Sequence, residues 1–567
     1  MSMNIEVLPN KFLKKFLESE VHINVLHFFG KDIMKTKLSK IILLVPVLVT
    51  VLYYLFGHIQ YFVVDDQLMN YIVDGVYGTK ENQWMILPYM SVIISYFMYF
   101  LKNTFENVNI YFMTMLILYT VAFIVIEYIL YNKYHSLWVA LITAIAQIIL
   151  FQCFTYTMVA YITCFAGLLL LWVSERKGKF LAVILLIVGI SIRKDVFLSL
   201  LVMFIPYIVY MFIKNGKRKG LINIVISLLC FLSIGVVNNI VIRDNDAVKN
   251  YLEWNEKSTL IRDYPKVDYA EVSSQLTDLG VTRNDIRCLS NWIFVEKDTL
   301  GNKQLDAIDQ QRPIYEKYQL HPIELMKSFL QEPYFVIYTL IGLFVLIIIK
   351  WKNALSASLM LSTLACFGAL LVRQRVVSRV YIPIIFISII MLIFTFMDSY
   401  KELRLKKNWQ LVLMSAFMVF VIGVYGKEVD FHRVQKTIYN QETYDYINKN
   451  SNNLFVFESF KGMVESQHPI ETLKFDKNLY HDNMMTLGNW DTFSVRYYNQ
   501  MNKYHIDDPD HFIANMLEYD HVRFIFNKDS LKKKTLIRWF EEHQNKKVDF
   551  KEVDRVSKYI VYEIKEV

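Results

Sequence analysis

Charged residues are scarce in this chain: 20% of its 567 positions, against 54% hydrophobic ones. So little polar surface cannot cover a water-soluble core of that size. Glycine (18) and proline (11) are also few, which excludes collagen-like, linker-rich and disordered low-complexity chains. Five cysteines are too few for a disulfide scaffold. Cys153, Cys164, Cys230 and Cys366 lie in or beside apolar runs, Cys288 is the thiol in a polar region, and nothing calls for an oxidising compartment. There is no glycine-rich phosphate loop and no internal repeat, so the commonest nucleotide-binding device is missing.

What is present is a succession of apolar runs: 41–57, 86–101, 110–131, 137–151, 157–173, 179–192, 196–213, 221–242, 332–349, 353–372, 380–397 and 410–425. The class is a polytopic α-helical membrane protein. The net charge of +8 sits in short clusters between the runs, which is a topology signal rather than a nucleic-acid-binding face. Residues 1–40 carry seven lysines with no small-residue cleavage site after them, so the first run reads as a retained anchor behind a cytoplasmic segment.

If all twelve runs crossed from a cytoplasmic N-terminus, Arg176-Lys177-Lys179 and Lys214-Lys217-Arg218-Lys219 would lie outside, against the positive-inside bias. One run must therefore not cross. The sixteen residues ILPYMSVIISYFMYFL at 86–101 fall short of the ~20 that a crossing needs, and they are assigned to the membrane interface.

About eleven crossings remain. The domains are then a cytoplasmic segment 1–40, a transmembrane domain 41–425 that includes an acidic first outer loop 58–109 and an outer helical region 243–331, and an extracytoplasmic α/β module 426–567. In the outer helical region Thr282 is placed to cap a helix running through Ile286 and Leu289, and its aromatic residues suggest a cap on the membrane surface. In the module NLFVF (453–457), VRFIFN (522–527) and YIVYEI (559–564) read as strands, with helices near 509–519 and 530–543.

The chemistry-bearing residues cluster in the outer segments. Adjacent carboxylates Asp65 and Asp66 follow the first run, and like charges raise one proton affinity; the plain alternative is that Asp66 caps a helix starting at Gln67. The loop runs on to Trp84 and into the 86–101 segment, at the boundary of water and lipid. Arg193 and Lys194 end the 179–192 run, and Arg373, Arg375 and Arg379 precede the 380–397 run, where outward cations oppose the topology bias. Snorkelling or headgroup contact explains either cluster alone, whereas phosphate binding explains both.

The acidic pair, the Trp and Pro leading into a surface helix, the basic dipeptide in GISIRKDVFLSL and the basic residue, Tyr and Pro of SRVYIPIIF together resemble the plan of GT-C membrane glycosyltransferases. The layout is similar to that of protein O-mannosyltransferases and lipid A aminoarabinose transferases, over roughly residues 41–400. The resemblance implies a GT-C-like fold and transfer of a hexose or pentose from a polyprenyl-phosphate donor to a cell-envelope glycan or protein, in a bacterial cell membrane and on its outer face. It also implies that Asp65 or Asp66 acts as base or positions the acceptor and that Arg193, Lys194 and Arg379 hold the lipid phosphate. Arg373, Arg375 and Tyr381 are further donor-binding candidates beside Arg379, and Trp84 and Trp490 are candidates for stacking a sugar on an aromatic face, with a packed loop of the module as the plainer reading of Trp490.

The displacement at the anomeric carbon needs a single base and a cationic partner for the leaving phosphate. The residue types also admit a divalent cation, Mg or Mn, bridging the acids to the phosphate. Membrane lipid, lipid-linked donor and envelope acceptor are the implied partners, and nucleic acid is not. The competing readings are a transporter or flippase, which would carry ionisable residues at mid-membrane depth, and a non-catalytic scaffold for envelope polysaccharide assembly. His505, Asp507, Asp508, Asp510 and His511 have metal-ligand chemistry, but Asp508-Pro509 reads more simply as a helix cap. Glu127, within an apolar run, is assigned to a helix-pair contact.

Overall fold

The computed structural model describes residues 42–57, 59, 61–77, 86–135, 137–174, 176–215, 217–263, 269–310, 327, 336, 339–340, 342–343, 354–372, 377–402 and 439–567. The N-terminal segment 1–40, most of the 332–349 run and the 410–425 run, together with Trp84, Arg373 and Arg375, lie outside these residues.

Apolar runs become helices because no water competes for their backbone groups in lipid and every N–H must be met within the segment. In chain order these helices are α1 (Val45–Phe56), α2 (Val64–Val73), α3 (Val92–Thr104), α4 (Ile110–Tyr134), α5 (Leu137–Phe151), α6 (Tyr156–Val173), α7 (Arg176–Ile192), α8 (Lys194–Asn215) and α9 (Lys217–Arg243). The outer helical region supplies α10 (Asp246–Arg262), α11 (Tyr269–Thr277), α12 (Arg283–Ser290) and α13 (Asn302–Gln310), and α14 (Ala354–Val372) and α15 (Ser378–Glu402) follow.

Among the described residues, four helical stretches are long and apolar enough to cross a membrane: Ile110–Tyr134, Tyr156–Val173, Arg218–Arg243 and Ala354–Leu371. α9 leaves Leu221, Val225, Leu228, Leu232, Val236 and Ile240 exposed. These recur every three or four residues along one helical face. An apolar stripe of that length is stable against lipid, not water, so the chain is membrane-embedded.

α6 is the opposite case, buried from Tyr156 to Trp172. It lies tightly against α7, where a Cβ at Gly189 would come 2.5 Å from Cys164 Sγ and 2.9 Å from the Cys164 backbone nitrogen. On the α6 side, a Cβ at Gly167 would come 3.1 Å from the Ala182 carbonyl oxygen. Small residues let two membrane helices approach backbone to backbone. The approach sets the end of α7, and hence Arg193, beside the start of α6.

The C-terminal module contains α16 (Gln441–Lys449), β1 (Leu454–Phe457), α17 (Phe460–Glu465), β2 (Met484–Thr486), α18 (Val495–Lys503), β3 (Val522–Asn527), α19 (Leu531–Gln544), β4 (Val548–Val556) and β5 (Tyr559–Glu566). The sheet order is β2-β1-β3-β5-β4. β1 pairs in parallel with β2 and β3, while β5 runs antiparallel to β3 and β4. β1 is buried along its whole length, as a strand covered on both faces must be. β4 is a charged edge strand with an irregularity at Glu552/Asp554, a pattern that blocks edge-to-edge association.

Three expectations change here. The stretch 509–519 forms two short 3-10 turns, Pro509–His511 and Met516–Glu518, rather than an α-helix. Asp508 occupies the cap position without a capping bond, and its carboxylate takes His511 Nδ1 at 2.8 Å instead. The outer helical region shares one core with the module: Trp254 meets Phe493 at 4.9 Å and Phe294 at 5.2 Å, edge to face. Tyr251, Trp254 and Phe294 are buried against protein there. Thr282 does cap α12, in a capping box closed by Asp285.

Candidate functional site

α2 starts at Val64 after extended Val63, so Asp65 and Asp66 both fall in its first turn, where negative charge is favoured by the helix dipole. Asp66 does not cap the helix that carries it. Its Oδ1 accepts the Tyr156 backbone N–H at 2.9 Å and the Tyr111 hydroxyl at 2.7 Å, so it satisfies the first N–H of α6, ninety residues away. Such an N–H has no partner inside its own helix. Oδ2 is buried without a hydrogen-bond partner among the described residues. Burial is the main cause that pushes the Asp66 carboxyl up, from 3.8 to about 7.

Asp65 faces the other way. Its Oδ2 pairs with Arg379 Nη1 from the first turn of α15, with side chains 24% and 16% exposed. That is an accessible pair, unlike fully buried Asp66. Arg379 Nε has no hydrogen-bond partner among the described residues.

Arg193 joins from a third direction. It lies between α7 and α8, and its Nη1 donates to Tyr156 Oη at 2.8 Å and Thr157 Oγ1 at 2.9 Å. Its guanidinium carbon is 5.4 Å from the Tyr156 ring centre and 5.8 Å from that of Tyr89, within cation–π range. The charges of Arg193, Asp65 and Arg379 all act on the Tyr156 hydroxyl. Tyr156, at the N-terminus of the buried helix, is therefore the hub of the cluster.

Tyr89 sits at the third position of a turn, Leu87-Pro88-Tyr89-Met90, closed by Met90 N–H on Leu87 O at 3.2 Å. Its φ is +69°, where glycine is the usual residue. A bulky residue there costs of order 1 kcal/mol or more, and the ring it places contacts Arg193 and the edge of Trp490, 6.2 Å away. Burial raises the Tyr89 hydroxyl, and the opposing Arg262 charge limits the rise.

Lys194, Tyr381 and Trp490 complete the described sequence candidates. Lys194 is exposed at the start of α8. Tyr381 is buried, with its ring 6.2 Å from Phe367. Trp490 is 4% exposed, too enclosed to offer an open sugar face, and its carbonyl accepts the Tyr251 hydroxyl at 2.6 Å. The bridging cation finds no fit, because one carboxylate turns to Arg379 and the other to Tyr111 and an amide. Among the described residues no group of three His, Cys, Asp or Glu could hold a metal.

Tyr156, Tyr89, Tyr111 and Arg262 were not anticipated. The Pro88-Tyr89 turn was the only local signal, since a tyrosine within an apolar run carries no mark of its partner. No protein-family model matches the chain, and no curated protein matches its sequence.

The Asp66 carboxyl yields a pH prediction. Its folded value lies above its unfolded one, so the stability it contributes is complete below 3.8 and is lost as pH rises through about 7. Three units amount to at most about 4 kcal/mol. Asp66→Asn keeps an oxygen for Tyr111 and the Tyr156 N–H but cannot ionise. In detergent, the wild-type thermal midpoint should fall across that pH window while that of the variant stays flatter; parallel profiles would refute the assignment.

Proposed function

We propose that this chain is a membrane glycosyltransferase that moves a sugar from a polyprenyl-phosphate donor to a cell-envelope acceptor at the outer face of a bacterial membrane. The observation that carries the reading is the convergence at Tyr156 of one accessible carboxylate, Asp65, with two guanidinium groups, Arg379 and Arg193, from helices far apart in sequence. Guanidinium groups suit phosphate oxygens.

The connectivity supports a common outer face. Asp65 follows α1, Tyr156 begins α6, Arg193 follows α7 and Arg379 begins α15, so these four ends lie together. With α6 and α7 as antiparallel neighbours, the basic starts of α7 and α9 fall at the opposite end, the inner one by charge bias. α3 is read as lying in the membrane interface. The proposal takes about eleven crossings, with the outer helical region and the module, which share a core, on the same outer side.

In the proposed reaction an acceptor hydroxyl oxygen bonds to the anomeric carbon as the bond from that carbon to the phosphate oxygen breaks. The hydroxyl proton passes to Asp65, and the polyprenyl phosphate leaves with its charge held by Arg379 and Arg193. Asp66 positions α6 rather than reacting.

The test is binding of a polyprenyl monophosphate to the protein in lipid nanodiscs, read by native mass spectrometry. Wild type should bind, and Arg379→Ala and Arg193→Ala should each weaken binding roughly tenfold or more. Absence of binding by wild type, or equal binding by both variants, would overturn the reading.

A further inference from the structure

A strip of the C-terminal module, residues 464–478, runs along α2 and the start of α4. It is tied there by Tyr54 Oη to Thr472 Oγ1 at 2.8 Å, Asn109 Nδ2 to Glu471 O at 2.9 Å, Phe475 N to Asn107 O at 3.1 Å and Asn109 N to Leu473 O at 3.3 Å. Both walls are therefore held by backbone groups, yet two clefts stay open between them.

The first cleft, about 130 Å³, has Tyr61, Tyr71, Tyr439 and His468 as rings and Gln67 and Gln467 as amides, and among the described residues no Asp, Glu, Lys or Arg lines it. The second, about 330 Å³, is lined by the amides of Asn103, Asn107 and Asn478 and by Glu106 and Asp476. Its walls also include Asp74, 2% exposed, whose Oδ1 is 2.8 Å from Lys102 Nζ.

Gln67 and Asp74 belong to one helix and its C-cap, seven residues and roughly 10 Å apart along its axis. A continuous hydrogen-bond chain links their walls: Tyr61 Oη donates to Asn70 Oδ1 at 2.5 Å, and Asn70 Nδ2 donates to Asp74 Oδ2 at 2.7 Å. The clefts are thus successive along a rigid wall, starting two residues beyond Asp65.

We propose that they are consecutive subsites for a neutral oligosaccharide, the acceptor glycan of the transfer reaction, an assignment that rests on the function proposed above. Rings present apolar faces to sugar C–H surfaces, and amides both donate to and accept from hydroxyl groups. A concave site with a few convergent polar groups is the usual form of a small-ligand pocket. The first cleft, uncharged among the described residues, and the mixed charges of the second, lined by Asp74, Glu106 and Asp476 together with Lys102 and Lys477, favour a ligand without strong charge.

The test uses the full chain in a detergent without a sugar headgroup. Binding of three neutral tetrasaccharides, a β-1,4-glucan, a β-1,4-N-acetylglucosamine oligomer and an α-linked mannan, is measured by equilibrium dialysis. At least one should bind. Gln67→Ala in the first cleft and the exposed Asn103→Ala in the second should each weaken it about threefold or more, with polyprenyl monophosphate binding unchanged. If none of the three binds wild type, or if both variants bind as wild type does, the subsites are refuted. Saccharide binding that survives while the lipid phosphate fails to bind would instead sink the transferase reading and leave a saccharide-binding groove.

Discussion

Asp65→Asn should reduce sugar transfer by about 10²–10⁴-fold, the usual contribution of a positioned base, without weakening the hold on the lipid phosphate. The reason is the ion pair. Arg379 divides its charge between Asp65 and whatever anion arrives, and removing the Asp65 charge leaves the guanidinium wholly to the phosphate. Polyprenyl monophosphate should therefore bind the variant as tightly as wild type or more tightly.

Arg379→Lys should show the opposite split, because a lysine keeps the charge but loses the planar fork: weaker binding with a smaller loss of turnover at saturation. The assay is release of labelled sugar from a polyprenyl phosphohexose in the presence of cell-envelope extract. Asp65→Asn at the wild-type rate would remove the base from the scheme. A loss of binding in that variant would make the pair a structural clasp instead.

The largest effect on stability is expected at Arg496. The residue is 5% exposed; Nε donates to Asp491 Oδ2 at 3.2 Å, Nη2 bonds Asp491 Oδ1, and Nη1 donates to the Ile86 carbonyl at 2.9 Å. Asp491 is completely buried. Arg496→Ala leaves that carboxylate without its counter-charge and should cost about 3–5 kcal/mol. The Asp491→Ala, Arg496→Ala double variant should be less destabilised than the single one, since no buried charge is then stranded. Thermal midpoints of the three proteins in detergent decide this; a single variant with an unchanged midpoint, or a double variant lower than the single, contradicts it.

The same contact links stability to the site. Ile86 immediately precedes the turn that holds Tyr89 at positive φ against Arg193. An α18 side chain of the C-terminal module thus fixes the backbone leading into the candidate site, and Trp490 adds a ring edge to Tyr89.

Much of the helical layout was legible because lipid imposes one strong rule, that backbone groups be satisfied within the segment. The runs at 110–131, 157–173 and 221–242 correspond to α4, α6 and α9. Buried strands β1, β3 and β5 were equally readable, being dense in Phe, Ile, Val and Tyr. β4, VDFKEVDRV, was not: only Val548, Phe550 and Val556 are buried, and an edge strand owes its place to its partner β5 rather than to its own pattern. Likewise nothing in the letters near position 66 says that its carboxylate caps a helix starting at Tyr156.

Composition and periodicity by themselves determined that this is a membrane-embedded helical protein with a small C-terminal sheet, because burial of apolar area depends on residue type and spacing and on little else. Which carboxylate meets a cation and which is sealed in the core was decided by tertiary structure. The close approach of α6 and α7 at Gly167 and Gly189 and the docking of α15 beside α2 brought Arg193, Tyr156, Arg379 and Asp65 together. Electrostatic and hydrogen-bond contacts act over a few ångströms, and distances between remote segments exist only once the chain has folded.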